Sequence, residues 1–362
     1  MSVAAAVAPD SSGKLTFSSD EEPGIRRRGR DRFHYVDDLS GATVRDRSTL
    51  ERIESLVIPP AWRDVWICRG ANGHLQATGR DARERKQYRY HTTYRRQREQ
   101  EKFADLIPFG EALGPLRHRL RDDLDTTAWD FDHVVALVLS LLDETHVRVG
   151  NEHYARANGT FGLTTLRNRH LHTDGRHLSL HFIGKGGKDL DVPIDDPTLA
   201  RQVRRCRQLP GQQLFQWIDI TGERHPVRSG DVNERLRQLT GLDATAKTFR
   251  TWGATVLAAS TLASAGPPAS AAEAQREVVA AVDDVATTLG NTRAVARASY
   301  VHPAVLASYE AGRLEDWWRD GPTRSANGLS PDERRLLVVL RKARQAGLGV
   351  RPARRRSRRT AA

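Results

Sequence analysis

After residue 102 the chain is dominated by apolar residues at helical spacing, and the pattern breaks at one place, Gly162 to Ile194. The run HVVALVLSLL, with Asp132 as its expected cap, is followed by helical patterns in RQVRRCRQL, VNERLRQL, FRTWGATVLAASTLA and AEAQREVVAAVDDVATTL, each set off by Gly, Pro or Ser. A last helix is expected near Pro331 to Ala346. Within the interruption GLTTL, HLHTDGRHLSLHFIG and LDVPI read as three strands, with turns at Thr173-Asp174-Gly175 and Gly184 to Gly187. Lys185 then falls on a hairpin tip. Such a chain buries helix against helix and carries a small sheet beside them.

The first hundred residues read differently. From Phe33 to His91 short apolar runs such as FHYV and DVWIC alternate with the turn signals Ala71-Asn72-Gly73 and Gly79-Arg80-Asp81. One helix, Ser48 to Leu56, stops before Ile58-Pro59-Pro60, because a residue preceding proline avoids the helical region. The expected class is α+β, a small strand-rich N-terminal domain followed by a mostly α-helical domain containing a three-stranded β-sheet. The expected division is a disordered tail over 1–25, the strand-rich domain over 26–98, the helical domain over 99–348 and a basic disordered tail over 349–362. No internal repeat is evident.

Charge narrows the partner. Lys plus Arg total 57 against 45 for Asp plus Glu, a net charge of +12, which favours a polyanion, and nucleic acid first. No segment approaches the roughly 18 unbroken apolar residues of a spanning helix, so no membrane association is expected. The opening MSVAAAVAPDSSGK lacks the basic start and long apolar run of a secretory signal, and Cys68 and Cys206 are too few for a disulfide framework. A cytoplasmic, nucleoid-associated protein is expected.

Four polar residues carry the chemistry: Arg148 in HVRVGNEHY, Lys185 in its glycine turn, Arg250 in KTFRTWG and Tyr300 in ARASYVHP. Each has an ordinary reading alone. Arg148 follows an apolar helix whose dipole a cation offsets, Lys185 is solvated on a turn, Arg250 caps or pairs, and Tyr300 is core. Together they have another. Transesterification of a phosphodiester by tyrosine needs a nucleophile, rigid cations for the charge gathering on phosphorus, and an acid for the leaving oxygen. Two always-charged guanidinium forks and one tunable ammonium supply these, and neither metal nor nucleotide is needed. His170, His172, His177 and His181 look like a metal cluster, yet no Cys is near, and His170 and His172 are expected on one face of a strand; no metal is expected there. HEXXH, Gly-rich phosphate loops and paired carboxylates are not evident, so no cofactor is expected.

From about Phe33 to Leu340 the sequence resembles the type IB DNA topoisomerases of the compact poxvirus and bacterial kind. The motifs that carry the resemblance are IPPAW at 58–62, KQYRY at 86–90, RVGN at 148–151, GLTTL at 162–166, FIGK at 182–185, KTFRTWG at 247–253 and Ser299-Tyr300, all in order. The resemblance implies a helical catalytic domain of the DNA breaking-rejoining type. It implies that Arg148 and Arg250 clamp the scissile phosphate, that Lys185 protonates the departing 5' oxygen with help from Lys247, and that Tyr300 becomes joined to the 3' phosphate. It also implies DNA contacts at Gln87, Tyr88, Tyr90 and Tyr154, and a monomer that clamps double-stranded DNA. The family often has histidine nine residues before the tyrosine, where this chain has Asn291. An amide donates a hydrogen bond but cannot change charge, so a transition-state contact is expected of Asn291 and no proton transfer. As a bland alternative, Asn291 caps the helix that follows.

Tyrosine recombinases share the Arg, Lys, Arg and Tyr set and are the alternative. They typically place His three residues before the second arginine, where Lys247 stands, and the strand-rich N-terminal domain suits them poorly. An architectural DNA-binding protein would use the charge but leave the ordered set unexplained.

Overall fold

A computed structural model describes residues 15–29, 32–82, 84–95, 103, 105–175 and 177–349. The chain forms two compact units, Met1–Glu101 and Lys102–Ala362. Most of the basic tail expected over 349–362, the first part of the tail expected over 1–25, and most of the charged stretch Tyr94 to Lys102 lie outside the described residues.

In the first unit five antiparallel strands lie in the order β2-β1-β3-β4-β5, with β1 Ile25–Arg28, β2 His34–Asp37, β3 Arg63–Ile67, β4 Leu75–Arg80 and β5 Lys86–Tyr90. Helix α1, Arg47–Ser55, is capped by Asp46, whose carboxylate accepts from the Thr49 amide. It buries Ile53 against Ile25, Val65, Ile67 and Ala77. The opposite face carries Trp66, Cys68 and Leu75.

The segment from residue 15 to Ile25, within the tail expected to be disordered over 1–25, is packed on the strands. Thr16 bridges Gly73, the Ser18 hydroxyl donates to the Leu75 carbonyl, and the Glu22 carbonyl accepts from the Trp66 indole at 2.9 Å. Buried Trp66 needs an acceptor for its N–H, and this polar segment supplies it. Two of the three arginines of IRRR are tied down in the strand: Arg26 pairs with Asp38 at 3.0 Å, and Arg27 donates to the carbonyls of Pro59 and Trp62 in the proline turn.

The second unit is built around α3, Phe131–Thr145, whose residues Val134 to Leu139 and Leu141 to Leu142 are almost wholly buried. A helix apolar on every side must be surrounded. Packed on it are α2 Leu106–Leu124, α5 Pro197–Cys206, α6 Ser229–Thr240 and α7 Ala246–Ala265. The helix cap is Asp130, accepting from the His133 amide at 3.0 Å; the expected cap, Asp132, lies two residues further on, inside the first turn, and pairs with Arg235. Between α3 and α5 come the short α4, Glu152–Asn158, and an antiparallel sheet β6-β7-β8, Leu171–Asp174, His177–Ile183 and Asp189–Pro193.

The sheet has the expected three strands, but GLTTL is not one of them. Leu163–Thr165 is a 3-10 turn, and the expected HLHTDGRHLSLHFIG segment contributes two strands. His170 likewise sits buried in a 3-10 turn, Asn168–His170, its ring accepting from the Arg167 amide, and shares no strand face with exposed His172. Burial and the neighbouring Arg169 and Arg167 push the His170 pKa down to about 4.

Helices α8 Ala271–Thr288, α9 Arg293–Ser299, α10 Pro303–Glu310, α11 Leu314–Arg319 and α12 Pro331–Gln345 complete the unit. A buried polar knot ties α12 to three earlier helices: Arg117 holds Asp143 at 2.6 Å and Glu333 at 2.7 Å, and Glu333 accepts from the Trp252 indole at 2.9 Å. All charges in it are paired, which is the condition for burying them without a large cost.

Candidate active site

The first candidate arginine is placed by main chain. Helix α3 ends at His146 in the left-handed conformation, φ 52°, and the chain turns sharply into Val147 and Arg148. The Arg148 and Val149 carbonyls then accept from the amides of Leu163 and Thr164 at 2.8 and 2.7 Å, which is why GLTTL turns rather than extends. The two backbones meet glycine to glycine: a side chain on Gly162 would come within 2.6 Å of the Arg148 carbonyl and of Gly150. Arg148 therefore leaves a stiff, doubly bonded loop.

Arg250 belongs to the first turns of α7, three residues after Lys247 and on the same face. It is 4% exposed, and its guanidinium donates to the carbonyls of His146 and Leu289, the second at 2.9 Å. Tyr300 closes α9, also buried, with Arg250 and Lys247 over its ring at 5.1 and 5.6 Å. The Thr255 hydroxyl, fully buried on α7, accepts from the His302 amide at 3.2 Å and shares its one proton between the Thr251 carbonyl of its own helix at 2.6 Å and the Tyr300 carbonyl at 3.1 Å, which ties the main chain on both sides of Val301 to α7. Burial would raise the Tyr300 phenol, but the charge and hydrogen bond of Arg250, with Arg148 and Lys247 behind it, bring its pKa below the ordinary value. A tyrosine oxygen among cations is eased toward the nucleophilic form.

Asn291 follows α8 after a left-handed Gly290, its amide bonded to the Ala286 carbonyl at 2.7 Å. Its side-chain oxygen accepts from Arg148 Nη2 at 2.6 Å, and its Nδ2 is buried without a hydrogen-bond partner. The cap of α9 is Thr292, so the bland alternative of Asn291 as that cap is not what the fold uses. Lys185 stands exposed on the β7-β8 hairpin, whose tip turns through Gly186 and Gly187 at φ 83° and 78°. It lines a cavity of about 270 Å³ together with Arg148, Arg250, Phe161 and His146. Lys188 of the same hairpin donates to the Asn291 carbonyl at 3.4 Å.

Tyr154 projects from α4 and is 48% exposed, and α4 is capped by Asn151 of RVGN. In the first unit Tyr88 and Tyr90 lie on one exposed face of the edge strand β5, rings parallel within 9° and 6.0 Å apart, with Lys86 over Tyr88. Gln87 points to the other face and donates to Asp81 at 2.9 Å. Alternation along a strand separates it from the tyrosines. Sequence reasoning did not single out His146, Thr255 or Lys188; none belongs to a recognisable motif, and only the left-handed helix end at His146 leaves a faint trace, a long apolar helix that stops without a glycine.

A buried tyrosine packed against Arg250, with Arg148 and Lys185 lining the cavity beside that arginine, is the arrangement of groups that phosphodiester chemistry calls for. Residues 91–316 match the family described as eukaryotic DNA topoisomerase I, catalytic core, and residues 32–81 match bacterial DNA topoisomerase IB, N-terminal domain. The chain is 31% identical over 294 residues to a DNA topoisomerase 1B of Acanthamoeba polyphaga mimivirus, covering 79% of this chain and 87% of the relative. It is 29% identical over 143 residues to a DNA topoisomerase 1 of Rabbit fibroma virus (strain Kasza), covering 38% of this chain and 45% of the relative. The chain belongs to the type IB DNA topoisomerases. Its substrate is DNA, and among the described residues no helix is long and apolar enough to cross a membrane.

Proposed function

We propose that Tyr300 attacks a phosphodiester of one strand of duplex DNA, its oxygen forming a bond to phosphorus as the bond to the 5' oxygen breaks. The phenol proton is released to solvent, and Lys185 gives a proton to the 5' oxygen, with Lys247 beside the tyrosine favouring its ionised form. Arg148 and Arg250 hold the nonbridging oxygens, and the unpartnered Nδ2 of Asn291 adds one donor to them. One phosphate ester is exchanged for another, so resealing is the same reaction reversed and needs no nucleotide. Torque in the DNA turns the free end about the intact strand before religation, relaxing supercoils of either sign.

The observation that carries this reading is the meeting of Arg148, Lys185 and Arg250 on one cavity with Tyr300 packed against Arg250. Tyr88, Tyr90 and Tyr154 suit contacts to the duplex because all three are exposed, Tyr88 with Lys86 over its ring, while Gln87 already spends one donor on Asp81. The protein acts as a monomer, in the cytoplasm at the nucleoid. Plasmid relaxation in EDTA without ATP, quenched with denaturant, tests the proposal. Relaxed topoisomers and a protein-linked 3' end are expected; a requirement for ATP, or a 5' linkage, would overturn it.

Replacing Lys185 by alanine should slow cleavage of an ordinary duplex by a factor of about 10² to 10⁴, the range for losing a general acid. A substrate with sulfur at the 5' bridging position should be slowed far less, because a thiolate leaves without a proton. Rates on the two substrates, compared in single turnovers, decide it: equal slowing removes Lys185 from the acid's role.

A further inference from the structure

His146 joins the supports of both arginines at the edge of the cavity they line. Its left-handed turn ends α3 and starts the loop to Arg148, and its carbonyl accepts from Arg250. Its ring sits on the bare backbone of Gly253, one turn beyond Arg250 in α7: a side chain added there would lie 2.0 Å from Nε2. His146 also lines two cavities, the one that holds the arginines and a second of about 710 Å³ bounded by Arg117, Trp252, Leu329 and Glu333. Its Nδ1 is buried and makes no well-formed hydrogen bond, with the Leu142 backbone of the preceding turn near the ring. A left-handed non-glycine residue and a buried ring nitrogen without a well-formed hydrogen bond each cost stability, so the arrangement calls for a compensating role.

We propose that His146 is a positioning residue for strand cleavage, its carbonyl on Arg250 and its ring wedged on Gly253 holding the end of α3 and the start of α7 at the one separation that sets Arg148 and Arg250 on the same phosphate. The proposal rests on the catalytic assignment of those two arginines. It requires a neutral ring. Arg250 faces it from α7, Asp143 from its own helix and Glu333 from α12, both acids already engaged by Arg117 of α2. Burial and the Arg250 charge keep the His146 pKa below the ordinary histidine value, the two acids acting the other way. As pH falls below that value an imidazolium appears beside Arg250 and spreads the pair.

The test moves bulk from one backbone to the other. His146→Gly keeps the left-handed turn and removes the ring; Gly253→Ala keeps the ring and drives it away; the double variant puts a methyl where the ring was. Single-turnover cleavage at saturating enzyme, below every variant's melting temperature, is expected to fall by at least about tenfold in each single variant, with duplex affinity within about twofold of wild type. The double variant should cleave faster than either. The acid limb of the wild-type cleavage profile should also be missing from His146→Gly, a readout that stands even where Gly253→Ala does not fold. Wild-type rates in His146→Gly, a double variant slower than both parents, or identical pH profiles would overturn the proposal. Arg250→Ala in the same assay separates the two levels: normal cleavage there removes the underlying assignment, whereas loss there with normal His146→Gly removes only the positioning role.

Discussion

Tyr300→Phe is expected to bind duplex DNA as tightly as the wild type while giving no covalent complex and no relaxation. The ring is buried and stays packed, because Arg250 and Lys247 lie over its face and the Thr255 clamp acts on main chain. Arg250 keeps its two carbonyl partners without the hydroxyl. The change therefore takes away one oxygen and little else, and that oxygen is the nucleophile. Gel-shift affinity measured beside denaturing-gel trapping of labelled DNA checks it. A phenylalanine variant that still links to DNA would remove Tyr300 from the chemistry.

The second large effect belongs to Asn291. Asn291→Ala removes the acceptor that holds Arg148 at 2.6 Å and the buried Nδ2 available to a phosphate oxygen. The expected loss is about 2.7 to 4 kcal/mol of transition-state stabilisation, the usual cost of one such donor, or roughly 10² to 10³ in cleavage rate. Ground-state affinity should scarcely move. Asn291→His should recover much of the rate, since an imidazole presents an N–H at similar reach. Asn291→Asp should fall below alanine: the carboxylate would take Arg148 as its own ion pair and set negative charge beside a phosphate whose charge is rising. Cleavage and religation of one suicide duplex by the three variants settle the order, and an alanine variant within about threefold of wild type would leave Asn291 with no role in the chemistry.

How much of this was legible beforehand varied with the range of the interaction involved. The all-apolar HVVALVLSLL announces a central helix, and glycines flanking Lys185 announce a hairpin tip, because both depend on neighbours within a few residues. The cap at Asp130 rather than Asp132 is a matter of two residues, set by which carboxylate reaches the His133 amide. GLTTL has the composition of a strand, yet it turns to satisfy carbonyls of residues 148 and 149, a demand no local pattern records. The ordering of residues 15 to 25 has the same origin in distant Trp66 and Thr78. Motif order placed Arg148, Lys185 and Arg250 together in expectation, and the fold puts them on one cavity. That Gln87 turns from Tyr88 and Tyr90 follows from strand alternation and was readable; that Asp81 waits for it was not.

The Thr255 contacts have a mechanical consequence. In the proposed cycle a DNA end attached to Tyr300 would pull on it whenever the duplex turned, and α9, only seven residues long, would make a poor anchor. The load instead passes from the tyrosine main chain through the Thr255 hydroxyl into α7, a twenty-residue helix embedded in the core. The same rod carries Arg250, so tension drags the nucleophile and its cation together, and the geometry for resealing survives the strain of rotation.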